Sequence, residues 1–86
     1  MKTAFMNTQP GLAKQVIHVY DDTTNTSEDV TATFEELPKV VTGIGLDKLE
    51  LHGSIAFNHK ITQGIKEQEK VNNSSNQIEI IERGAF

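Results

Sequence analysis

The chain has 86 residues, eight Lys or Arg against twelve Asp or Glu, a net charge of −4, 36% hydrophobic residues and no cysteine. That length allows one small domain, burying only about 60–65% of the surface its unfolded chain exposes, and leaves little chain for a deep, closed active site. The lack of cysteine excludes disulfides, thiolate metal sites and cysteine nucleophiles, and the charge leaves no surplus of cations to neutralise phosphates.

Nucleic acid is therefore not expected as a partner. A membrane is not expected either, since no apolar run approaches the roughly 18 residues that a spanning helix needs. The opening MKTAFMNTQP holds too short an apolar run for a signal peptide, so a cytoplasmic protein is expected. The sequons at Asn25, Asn72 and Asn73 carry no meaning without an export signal.

Residues 3–8, TAFMNT, read as a short edge strand. QPG at 9–11 is turn chemistry, with Pro at the second turn position and Gly supplying positive φ at the third. KQVIHVYD, 14–21, is β-branched and aromatic and gives the clearest strand. The polar stretch 21–29 reads as a flexible loop. DVTATF, 29–34, alternates and suits a third, short strand. Thr33 and Glu36 form a capping box, and Phe34, Leu37, Val40, Val41 and Ile44 follow at helical spacing. Pro38 is tolerable only in the first turn, so the helix starts near Leu37 or bends. Gly43 and Gly45 stop it.

LDKLELHG, 46–53, is a second confident strand. The helix after it is capped by Ser54 or Asn58, with Ile61 and Ile65 on its inner face. Gly64 within it suits close packing against the sheet. Residues 72–76 form a second flexible loop, QIEIIER at 77–83 a last strand, and 84–86 a loose tail.

One domain, 1–86, is expected, of α/β class bordering on α+β. Its order is β-β-(β)-α-β-α-β, in a mixed sheet. The strands alternate instead of reading as continuous apolar runs, so one sheet face is open and both helices cover the other in a two-layer sandwich. The expected core is Ile17, Val19, Leu37, Val41, Leu49, Leu51, Ile61, Ile65, Ile78 and Ile80. This topology resembles a pared-down ribonuclease-H-like domain. A nuclease of that fold needs several carboxylates at strand ends to hold two metals. The first strand carries only Asn7, so the resemblance argues against nuclease activity.

Three constellations could carry function. By alternation the open face shows Val16, His18, Tyr20, Glu50, His52, Glu79 and Ile81, a mixture of apolar and charged groups that suits a docking surface for a protein. Were the strands neighbours, His18, Glu50 and His52 would suit zinc or another transition metal. Gly53, Ser54 and Asn58 lie between a strand and a helix N-terminus, where an anion or small ligand could sit. HGS lacks the glycine spacing and Lys of a phosphate loop. GIG at 43–45 precedes a strand and is a helix stop. Asp21, Asp22, Glu28 and Asp29 lack the spacing of a calcium loop, and no GxSxG elbow or ordered triad exists.

The sequence thus points to a non-catalytic cytosolic domain that binds another protein or itself through its open face or an edge strand. A phage or mobile-element accessory protein that inhibits a host enzyme is one form of it. The alternative is a small-ligand or metal-binding domain centred on the His/Glu face. No cofactor and no catalytic residue are expected.

Overall fold

The structure, a computed structural model, describes residues 1–74 and 77–85. Its elements are β1 (Lys2–Thr8), β2 (Lys14–Asp21), β3 (Thr26–Thr33), α1 (Leu37–Ile44), β4 (Lys48–Gly53), α2 (Ile55–Val71) and β5 (Glu79–Gly84). The strands form one mixed sheet in the order β3-β2-β1-β4-β5. β1 runs antiparallel to β2 and parallel to β4, which runs parallel to β5. The two-layer sandwich with a mixed sheet and the element order β-β-β-α-β-α-β expected from the pattern are therefore present, on the α+β side of the border, and the topology fits the ribonuclease-H-like one.

Local chemistry explains the elements. Gln9, Pro10, Gly11 and Leu12 make the turn between β1 and β2, closed by the Leu12 N–H donating to the Gln9 carbonyl at 3.0 Å. Gly11 is not among the residues with positive φ, so Pro sets a tight turn that needs no left-handed residue, unlike the expectation. The buried Gln15 side chain fixes this turn, accepting from the Gln9 N–H at 3.0 Å and donating to the Gln9 carbonyl at 2.9 Å. The stretch 21–29, expected as a loop, is divided: Asp21 closes β2 and β3 begins at Thr26. Asn25 takes the left-handed conformation that Asn tolerates (φ 54°), which shortens the connection to a tight hairpin.

The capping box forms. The Glu36 carboxylate accepts from the Thr33 N–H at 3.0 Å, and the Thr33 hydroxyl accepts from the Glu36 N–H at 3.2 Å. It closes a turn at 34–36, and α1 starts directly after it with Pro38 in its first turn. Gly45, at φ 81°, ends that helix in the left-handed conformation. Ser54 caps α2, its hydroxyl accepting from the Phe57 N–H at 3.4 Å.

The core lies between the sheet and both helices. Met6, Ile17, Leu37, Val41, Leu49, Leu51, Ile61 and Ile65 are all at most 2% exposed. Burying each contributes about 1.5–3 kcal/mol. Ile78 and Ile80 pack against this core but stay half-buried, because β5 is an edge. Two expectations need correction. TAFMNT is the central strand, with Ala4, Met6 and Thr8 facing the core, and not an edge. Gly64 packs against α1 and not the sheet; a Cβ there would sit 3.2 Å from Pro38 Cγ. The 72–76 stretch lies partly outside the described residues, as does Phe86. Gly84 belongs to β5, and the Ala85 N–H donates to the Gly53 carbonyl at 2.8 Å. No helix among the described residues is long and apolar enough to cross a membrane.

Two substitutions of glycine by alanine are expected to act in opposite directions. Gly53 has φ 114°, and a Cβ there would lie 2.5 Å from the Thr8 carbonyl oxygen. Gly53→Ala is expected to cost more than about 2 kcal/mol, whereas helical Gly43, with open space around it, gains about 0.4–1 kcal/mol on Gly43→Ala. Urea midpoints with unchanged slope measure both. A second expectation concerns pH. Accepting the Thr33 N–H and hydroxyl holds the Glu36 carboxyl below its ordinary range. A depressed carboxyl contributes stability that is present above its unfolded value, about 4.3, and is lost as pH falls through the folded one. Glu36→Gln is therefore expected to flatten the fall of stability between about pH 5 and pH 3, read by thermal denaturation across that range.

Candidate functional site

The strand registers lay the open face out in rows. In the first, Ser27, Tyr20, Thr3, Lys48 and Glu79 follow one another across the five strands. The second holds Asp29, His18, Phe5, Glu50 and Ile81. At the carboxyl ends of the parallel strands, Asn7, His52 and Arg83 stand side by side. No helix covers this face among the described residues, and Phe5 (42%), Val16 (40%) and Tyr20 (44%) are exposed on it.

The side chains interact along these rows. The Phe5 ring stacks on His18 with centroids 4.8 Å apart and meets His52 edge-on at 6.3 Å. His18 Nδ1 donates to Asp29 Oδ1 at 2.8 Å. Arg83 Nε donates to Glu50 Oε1 at 3.0 Å, and the other Glu50 oxygen lies 3.9 Å from His52 Nε2. The Tyr20 hydroxyl donates to Asn25 Oδ1 at 2.9 Å. A shallow cleft of about 400 Å³ over the second row is bordered by Phe5, His18, Tyr20, Lys48 and Glu50.

The structure thus brings Glu50 and His52 together, and keeps His18 apart from them. β1 stands between β2 and β4, which sets their backbones roughly 9.5 Å apart, and Phe5 fills the space between. The expected His18–Glu50–His52 set is not assembled, and no group of three potential ligands converges among the described residues. Glu79 and Ile81 share the open face as expected, Glu79 in the row of Lys48. His59 lies off this face, 3.8 Å from Glu82.

Gly53, Ser54 and Asn58 serve the joint between strand and helix. Gly53 permits the close approach of β1, Ser54 caps α2, and Asn58 is fully buried. Its amide donates to the Leu51 carbonyl at 3.2 Å. The Thr8 hydroxyl lies 2.6 Å from Asn58 Oδ1 and 2.7 Å from the His52 carbonyl, and its single proton serves these two acceptors. Sequence reasoning missed Phe5, Asn7 and Arg83 as members of the face, and placed Lys48 opposite Leu49 and Leu51 without naming it as a candidate. The signal was available: Ala4, Met6 and Thr8 alternate with Phe5 and Asn7 at period two, and Arg83 continues Glu79 and Ile81.

No family model matches this chain, and no curated protein matches it in sequence. Among solved structures it is similar to the crystal structure of the fowlpox virus Holliday junction resolvase, at a TM-score of 0.55 and 19% identity. The match covers 98% of this chain and 61% of the resolvase chain, so the chain spans under two thirds of that neighbour.

That finding overturns the expectation of a non-catalytic protein-binding adaptor, whether an accessory protein from a phage or mobile element or an inhibitor of a host enzyme. It also overturns the expectations that the chain is no enzyme and that nucleic acid is no partner, because nearly the whole chain shares its fold with an enzyme named for a DNA junction. Both inferences drew too much from the sequence. A missing contiguous motif does not exclude a site assembled from separate strands, and net charge describes the average field and not the groups at one row.

Because Asn58 satisfies two buried partners, Asn58→Ala is expected to destabilise by about 2–4 kcal/mol. Thermal denaturation would register a drop of about 10 °C or more. A ligand-binding Asn without structural work would leave the midpoint within a degree or two.

Proposed function

We propose that this chain is a nucleic-acid-processing domain that takes hold of DNA across the open face of its sheet, at the carboxyl ends of β1, β4 and β5. One observation carries the reading: a resolvase-type sheet displays the polar row Asn7, His52 and Arg83 at the strand ends where open α/β sheets hold their ligands. Arg83 is 57% exposed and uses only Nε on Glu50, so its remaining N–H groups can bind a phosphate oxygen. Imidazole is the usual side chain for proton transfer near neutral pH, and His52 stands beside both Glu50 and Arg83. The absence of cysteine supports a cytoplasmic setting.

Phosphodiester cleavage in this fold class implies divalent metal held by several carboxylates. The row has one carboxylate nearby, Glu50, and it is already paired with Arg83. These residues do not fit a two-metal set, and no step is routed through a metal. What they can do is bind and orient a phosphate and move a proton at His52.

A synthetic four-way DNA junction and a linear duplex of the same sequence test the reading, incubated with and without magnesium. The junction is expected to be retarded in gels, and its affinity is expected to fall as salt rises from roughly 50 to 200 mM. Arg83→Ala is expected to weaken binding about tenfold and to lower the salt slope by about one. Strand scission lost on His52→Ala supports processing. Failure of the folded protein to bind or cut either DNA at tens of micromolar overturns the proposal.

A further inference from the structure

The rows assign a more specific substrate feature to the same face. Resting on the reading above, we infer that the cleft over Phe5 is a stacking platform for an unpaired base of single-stranded DNA.

The aromatic side chains that border the cleft come from two strands, Phe5 from β1 and His18 and Tyr20 from β2. Phe5 lies in the centre, stacked on His18 and met edge-on by His52, and Tyr20 stands one row away. Two of these rings are held from the β3 side: His18 donates to Asp29, and the Tyr20 hydroxyl is bonded to Asn25. A ring fixed before binding loses little freedom when a base settles on it. Phe5 is nevertheless 42% exposed at the middle of the central strand, so the sheet does not use that ring for its own core.

Charge brackets the floor. Lys48 stands in the row before Phe5, and Arg83 in the row beyond it. Cations on both sides of an aromatic surface let a strand lay its backbone along the charges and turn its bases inward. The cleft of about 400 Å³ is open and shallow, so it admits one face of a planar ring. A base within a duplex has both faces stacked and cannot settle on Phe5. The occupant must therefore be unpaired.

Fluorescence anisotropy with single-stranded octamers tests this directly. Oligo-dC is expected to bind about tenfold more tightly than an octamer of abasic sites with the same backbone. Phe5→Ala is expected to abolish the difference between oligo-dC and the abasic strand, and Phe5→Trp to restore it, with circular dichroism verifying the fold. Equal binding of oligo-dC and the abasic strand by the unaltered protein, while the four-way junction still binds, overturns the platform and leaves the DNA-processing reading standing. Binding of no DNA at all overturns both. A dimer at the assay concentration that Phe5→Glu dissociates would give the face to a second copy and overturn the platform as well.

Discussion

The Thr8 hydroxyl, shared between the His52 carbonyl and the buried Asn58 amide, is the contact on which the rest of the structure depends. It joins the end of β1, the end of β4 and the first turn of α2 in one place. The joint works only because Gly53 has no side chain there and adopts a backbone conformation that L-residues avoid. With it in place, β1 lies parallel to β4 in a single register. The rows of the open face run on from β1 into β4 and β5 in that register. Asp47 braces the other end of the same pair, its N–H donating to the Lys2 carbonyl at 2.7 Å and its carboxylate accepting from the Lys2 N–H at 2.9 Å.

This arrangement separates the two layers by task. The helix side is filled by aliphatic residues and by polar groups whose partners are internal, such as Gln15, Asn58 and Glu69. Glu69 illustrates this: it is buried, and its carboxylate accepts from the Ile78 N–H at 2.8 Å. No buried side-chain polar atom among the described residues lacks a partner. On the other side the charged groups pair loosely and stay accessible. Exposed pairs such as Arg83–Glu50 contribute little to stability, and a phosphate can compete for the cation.

Much of this was legible in the residues. Period-two alternation in KQVIHVYD and KLELHG, and helical spacing around Val41 and Ile61, gave both layers and most of the core. The capping box and the Ser54 cap followed from hydrogen-bonding chemistry within four residues. What was not legible depended on partners distant in sequence. TAFMNT is too short and too polar at Asn7 and Thr8 to advertise a central strand, and its place comes from pairing with β4. Misplacing it removed Phe5 from the face and allowed His18 to be grouped with Glu50. The expectation of a non-catalytic, protein-binding domain drew on composition and motif, which are properties of the linear chain, whereas the row Asn7, His52, Arg83 exists only across three strands.

The position of β1 also sets the order in which the protein can form. The β1–β2 hairpin closes through a four-residue turn, and adding β3 extends it through another tight turn, so three strands can assemble from local contacts on a microsecond scale. The contact of Thr8 with His52 spans 44 residues. Its loop-closure entropy must be met before any of the parallel pairing is rewarded. Until β4 arrives, the three-stranded meander carries a bare edge along β1, with Phe5 and Met6 on opposite sides of it. The slow step of folding is therefore the docking of β4 and α2 onto that edge, and the edge is where a partly folded chain is most open to pairing with another.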